Sequence, residues 1–329
     1  MHRLSNKEKL EFYSGLARLV RSGSSLPAAL ELLARDNRRG VAQFLRALND
    51  RIKKGDTLGD ALLAQRPRVS ELEASILTAA GHGGRLDKGC DQLARYYEAL
   101  VRARSAMRSR MAYPLIMLNM TVLGIKITVL TTAGLMAYLV AMLTPLLIIY
   151  GAVAAIWLVW QGLSEAARYN VSADMLVRRI PGVGPIREKF ALARFFATLD
   201  AQLEAGLNIW DALANAARTS DSARIITAAR QAMPMLQSGE RLGDVLAAKK
   251  IIPADYARSF RVAEQAGELD AELTTLAQRS EELAVSALNI WSEWLPRVMY
   301  TAVLFYAGWQ IVAWYQKYMS TVMNSVQSF

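Results

Sequence analysis

Histidine occurs only at His2 and His82 and cysteine only at Cys90. No run matches the G-x-x-x-x-G-K-[ST] loop that cradles a nucleotide phosphate or the H-E-x-x-H pair that holds zinc. The chain therefore reads as non-enzymatic, with no cofactor and no metal site expected. Gly81-His82-Gly83-Gly84 could cradle an anion, but a lone glycine-rich stretch is ordinarily a turn between helices. Glu264 and Asp270 could bind a cation or a partner's basic residue; solvated or helix-capping carboxylates are the ordinary reading of such positions. The lone Cys90 excludes an intramolecular disulfide, which suits a reducing compartment and a packing role.

A second set of polar side chains stands out by its surroundings. From Ala112 to Leu163 the only charged residue is Lys126. A helix needs about 20 apolar residues to cross about 30 Å of hydrocarbon. The run therefore holds two crossings, about 113–132 and about 141–162, with a tight turn between them. An ammonium at mid-bilayer costs about 2.5 to 3.5 kcal/mol on insertion scales. Lys126 must either pair with another group or snorkel outward, and its place about 20 Å along a helix from Tyr113 favours snorkelling. Asn119 and Gln310 are suited to hydrogen bonds between spans or to a partner's helix.

Charge is unevenly spread in the 329 residues, of which 53% are hydrophobic. Residues 1–111 carry 21 Lys and Arg against 12 Asp and Glu, a net +9, whereas residues 164–294 carry 15 against 17, a net −2. Arg102, Arg104, Arg108 and Arg110 stand just before the first apolar run, where a basic flank marks the cytoplasmic side of a membrane. No nucleic-acid partner is expected, because no recognition motif or aromatic-rich basic surface accompanies the charge. The N-terminal residues, charged and amphipathic, lack the apolar core of a cleaved signal peptide.

These groups must be positioned by helices. Ser5 with Glu8 and Ser70 with Glu73 are capping boxes, and Thr57 can cap a further helix start. Phe12, Leu16, Leu19 and Val20 recur at helical spacing up to Gly23. Pro27 opens a second helix through Leu33, a third runs from about Val41 to Lys54, and a fourth halts before Pro67. A fifth ends near Gly81, and a sixth passes through Ala94, Tyr97 and Leu100 with no breaker before Tyr113-Pro114. No alternating run suggests a strand, so the expected class is all-α.

After the polar segment Ser164–Arg179 and the turn-rich Ile180-Pro181-Gly182-Val183-Gly184-Pro185, the first half repeats itself. Phe195, Leu199, Leu203, Gly206, Ile209, Ala212 and Leu213 answer Phe12, Leu16, Val20, Gly23, Leu26, Ala29 and Leu30 at an offset of 183. Residues 239–244 answer 55–60 one position out of step, and Gly267-Glu268-Leu269-Asp270 returns to the offset against Gly84-Arg85-Leu86-Asp87. The repeat includes its membrane helix, since Leu295-Pro296 falls near Tyr113-Pro114 and Val298–Tyr315 is apolar except for Gln310. The expected organisation is a bundle of about six helices over 1–111, a membrane hairpin over 112–163, a second bundle over 164–294, a third span over 295–315 and a short outer tail over 316–329. Both bundles would face the cytoplasm, and the second hairpin arm would serve to return the chain.

With the repeat in place, the chain resembles the inner-membrane platform proteins of type II secretion systems and type IV pili. The residues that carry the resemblance are Ile180-Pro181-Gly182-Val183-Gly184, similar to the family's L-P-x-x-G, the R-F-x-x-T-L-x-x-x-L-x-x-G-x-x-I pattern over Arg194–Ile209, and Ala263–Leu269, similar to G-E-x-x-G-x-L. The first copy departs by having Gly81 where the second has Glu264, and the short loop between the hairpin arms is similar to the compact type IVb pilus branch. What the resemblance implies is a non-enzymatic, multi-pass scaffold of the bacterial inner membrane that forms a homo-oligomer. Its implied partners are a cytoplasmic hexameric assembly ATPase, pilins or pseudopilins, and other inner-membrane assembly proteins. The alternative is a polytopic transporter or membrane enzyme, for which spans holding one lysine and no carboxylate provide little chemistry.

Overall fold

The computed structural model describes residues 4–327 apart from 66, 67, 126 and 181. Among the described residues all regular structure is helical: α1 Asn6–Arg21, α2 Leu26–Asp36, α3 Arg39–Lys53, α4 Leu58–Leu63, α5 Glu71–His82, α6 Leu86–Ile125, α7 Ile127–Tyr169 and α8 Val171–Arg179. Then come α9 Val183–Glu204, α10 Ile209–Thr219, α11 Ala223–Gln237, α12 Leu242–Ala248, α13 Ala254–Ala266 and α14 Leu269–Gln327. The chain is all-α.

The helix starts are where local chemistry places them. Ser5 and Ser70 each accept the N–H of the glutamate three residues on while that glutamate reaches back, closing both capping boxes, and the Thr57 hydroxyl accepts the Asp60 N–H. Pro27 occupies the first turn of α2, where its missing N–H costs nothing. Elements α1–α5 recur as the end of α9 followed by α10–α13, and the turns match as well. Gly84 and Gly267 hold φ of 67° and 76°, the left-handed region that a side chain would strain, and each ends the helix before α6 or α14.

The helical elements divide into two compact units, one running up to Arg102 together with Leu163–Leu288, the other being Ala103–Gly162 together with Asn289 onward. The first unit holds both repeats, each with its own core. Tyr13, Leu16, Leu30, Phe44 and Leu77 are sealed in one; Phe196, Leu199, Leu213, Leu246 and Phe260 in the other. The cores differ in one respect. In the first, Lys9 Nζ donates to Glu73 at 2.8 Å and to the Tyr97 hydroxyl at 3.3 Å, and the Tyr13 hydroxyl donates to Glu73 at 2.6 Å. The corresponding positions of the second are Leu192, Tyr256, Ser280 and Phe196. A buried ionic network has been exchanged for a largely apolar one.

In the second unit α7 breaks at Gly134, with φ 82° and ψ 176°, so the hairpin turns there. Asn119 donates to the Tyr150 hydroxyl at 3.0 Å across the arms, and the Tyr113 and Tyr300 rings lie 5.7 Å apart. One helix among the described residues, Ala133–Tyr169, is long and apolar enough to cross a membrane, and no residue of its most apolar stretch is buried. Large apolar side chains such as Met136, Phe305 and Trp309 are at least three-quarters exposed in this unit.

The polar segment Ser164–Arg179 is helical almost throughout: α7 continues to Tyr169, and Asn170 caps α8 by accepting the Ser172 N–H. The turn-rich stretch after it is shorter than its composition suggests. Its last three residues already form the first turn of α9, with Gly182 at φ 88° marking the boundary.

Candidate functional site at the junction of the repeats

Within the first unit the repeats meet where α5 packs on α9 and α10. The meeting surface is closely packed: Ile76 and Ala79 are buried, and a Cβ placed on Gly83 would come to 3.9 Å of the Ala205 Cα. Around it stand polar side chains. Arg85 pairs with Glu204, Tyr96 sets its ring edge-on to Phe190 at 6.2 Å, and Arg194, which donates to the Ser220 carbonyl, lies beside the Tyr96 side chain.

Beside these contacts lies a cleft of about 300 Å³. Arg85, Lys88 and Arg95 face Asp200, Glu204 and Glu281 across it. Burial pushes the Asp200 carboxyl from 3.8 up to about 6, against the opposing hydrogen bond from the Thr274 hydroxyl at 3.0 Å, while Asp270 adds to the rise. Burial also raises Glu281, with Arg95 acting against it. Cationic and carboxylate side chains therefore line the same cleft, with burial holding the Asp200 and Glu281 carboxyls toward their protonated form.

A second arrangement holds α12. Both Glu264 oxygens accept backbone N–H groups at its start, from Leu242 at 2.8 Å and Gly243 at 2.9 Å. Arg241 stands at the cap position and supplies no side-chain hydrogen bond there. In the first repeat the corresponding Thr57 caps α4 directly, and position 81, which answers Glu264, is a glycine. The glutamate thus does at a distance what the threonine does locally.

The third arrangement fastens α8 to the second repeat. Asp174, almost wholly buried, accepts from the Ser222 hydroxyl at 2.6 Å and the Arg224 N–H at 3.2 Å and faces Arg187 Nε at 3.5 Å. Gly184 lies under the same helix, where a Cβ would fall 2.2 Å from the Arg178 carbonyl oxygen, so no other residue fits without a backbone shift.

Comparison with known proteins places these repeats. The family model described as Type II secretion system (T2SS), protein F matches residues 12–133 and again 195–315. The chain belongs to the type II secretion system protein F family. It is 24% identical to the type IV pilus assembly protein PilC of Myxococcus xanthus, over 87% of this chain and 73% of that one. It is 26% identical to the PilC of Thermus thermophilus, over 86% and 75%, and 24% identical to the type II secretion system protein F of Vibrio cholerae, over 84% and 73%.

In this member of the family the residues singled out from sequence are scattered. Gly84 and Gly267 stand just before α6 and α14 and Asp270 lies in the first turn of α14; Glu264 serves α12, and Gly184 lies beside α8. Arg102 pairs with Glu98 on its own helix, Arg104 and Arg108 are exposed, and Arg110 lies 3.3 Å from Glu293. Gln310 donates to the Tyr306 hydroxyl at 3.2 Å, within α14. Pro181 and Lys126 lie outside the described residues. Sequence reasoning missed Asp174, Asp200 and Glu281, and read Arg194 only as the first residue of the pattern over Arg194–Ile209. A trace of the junction in the sequence is that the apolar Ile76 and Phe190 have polar counterparts in the other repeat, Ser259 and Lys7.

Proposed function

We propose that the protein is the inner-membrane platform of a fibre-assembly machine, a type IV pilus or the pseudopilus of a type II secretion system. In this reading three spans place both repeats on the cytoplasmic side, where they contact a hexameric assembly ATPase, and the spans contact pilins drawn from the bilayer. The platform is a homo-oligomer and a scaffold rather than an enzyme, and its short hairpin turn fits the compact type IVb branch. ATP energy comes from the partner.

The observation that carries the reading is the pairing of two family repeats whose last helices, α6 and α14, each run unbroken into an apolar, exposed segment. A stiff helix joining a charged bundle to a lipid-facing span can carry a displacement from one to the other. The basic run Arg102–Arg110 before the first span supports a cytoplasmic position for the bundles. The names of the relatives, pilus assembly and type II secretion proteins, support the assembly role.

Site-specific photocrosslinking in cells, scanned over the exposed residues of both repeats, tests the partner. The expected result is capture of the assembly ATPase at positions confined to one face, and capture at none would overturn the coupling. Reporter fusions test the topology. A reporter active only outside should be active near Ala133 and after Tyr318 and silent near Asp174; any other pattern breaks the three-span scheme.

A further inference from the structure

The two repeats do not meet through equivalent faces. The first presents α5; the second presents α9, whose later part corresponds to α1, together with α10, which corresponds to α2. The contact is head-to-tail, and a contact of that kind leaves one copy of each face unused. The unused faces are the outer side of α1 in the first repeat, and α13 with the start of α14 in the second. Both are open to solvent. Val262 is 64% exposed where its counterpart Ala79, inside the junction, is 1% exposed, and Glu11, Arg18 and Arg21 are exposed on α1.

The charges on the unused faces are matched. Where the junction pairs Arg85 with Glu204, the corresponding residues are Glu268 and Arg21, the same pair with its signs exchanged. Where Arg194 meets Tyr96, the corresponding residues are Glu11 and Arg279, again of opposite sign. Lys7, at the position of Phe190, is a like charge brought toward Arg279, and Glu11 already holds it at 3.8 Å. The steric match also holds. Ala266 replaces Gly83, where an added Cβ makes only ordinary contact at 3.9 Å. At larger scale, residues 1–111 carry a net +9 and residues 164–294 a net −2.

We propose that a second copy of this chain docks its α1 face on α13 and the start of α14, repeating between chains the junction that α5 and α9 make within one. Arg279–Glu11 is the pair that fixes the register, while Glu268 would compete for Arg21 with Asp91, its ion-pair partner within the chain. This deepens the oligomer of the proposed platform: a head-to-tail contact builds a ring or an open array, not a two-fold dimer.

The test uses the full-length chain in detergent or nanodiscs. Ser14→Cys and Ser259→Cys, near-isosteric changes, are made on separate copies. They correspond to Ala197 and Ile76, which line one small cavity at the junction. Cys90 is sealed in the core, so the parent chain is the uncrosslinked control. Mixing and mild oxidation should give the 14–259 disulfide between copies and neither 14–14 nor 259–259. Arg279→Glu should lower its yield by about tenfold or more, and Glu11→Arg on the other copy should restore it, which also shows that the single variant folds. Symmetric disulfides, or no disulfide in particles that mass photometry shows to be oligomeric, would overturn the head-to-tail contact and leave the oligomer standing. Monomers throughout would overturn both.

Discussion

Replacing Glu264 by alanine removes both acceptors from the start of α12, a helix of seven residues that has no side-chain cap of its own. A lost helix cap costs about 0.5 to 2 kcal/mol, and a hydrogen bond to a charged group contributes about 1.5 to 3. Two such bonds on one partly exposed helix start put the loss at about 2 to 3 kcal/mol. Local opening of α12 should then be about 30 to 150 times more frequent. Hydrogen–deuterium exchange read by mass spectrometry on peptides covering Leu242–Ala248 measures this directly, with α4 of the first repeat as the internal reference. The comparison between repeats supplies the rescue: Arg241→Thr places the hydroxyl that Thr57 provides in α4, and should return about 1 kcal/mol in the Glu264→Ala chain but little in the parent. Unchanged exchange in Glu264→Ala, or equal effects of Arg241→Thr in both chains, would refute the cap.

Three further outcomes follow from the same geometry. Asp200 has a folded pKa of about 6 against 3.8, so its contribution to stability is fully present below pH 3.8 and lost as pH rises through 6. At 1.36 kcal/mol per unit the ceiling is about 3 kcal/mol; Asp200→Asn should stabilise the chain at pH 7.5 and leave it unchanged at pH 4, and equal unfolding midpoints at pH 7.5 would contradict the burial argument. Glu73→Leu leaves the Lys9 ammonium buried without a counter-charge and should cost about 3 to 5 kcal/mol, of which adding Lys9→Leu returns at least half; a double variant no better than the single one would show that the pair is not the source. Gly184→Ala must displace the Arg178 carbonyl and should cost about 1 to 3 kcal/mol in urea unfolding, whereas a neutral substitution would mean that the turn before α9 yields freely.

What was legible in the sequence is what local rules govern. Ser5, Thr57 and Ser70 announce their helices because a cap and its target amide lie three residues apart, and Gly84 and Gly267 end theirs because only glycine takes that turn cheaply. The repeat shows because its cores need the same apolar positions. Contacts over long distances leave no such mark. Glu264 reads as a solvated carboxylate until the amides 21 and 22 residues before it come into view, and α8 is held by Asp174 reaching a loop 48 residues on. The cleft with Asp200 and Glu281 exists only because the repeats mate through different faces, which the symmetry of the repeat in sequence conceals.

The measurement that bears most directly on the platform role is a clean deletion of the gene in its native host, with surface fibres counted by electron microscopy and pilin followed by immunoblot. The platform reading predicts no fibres while pilin is still made and processed in the membrane, with fibres restored by the chain supplied in trans. Normal fibres on the deletion strain would contradict it.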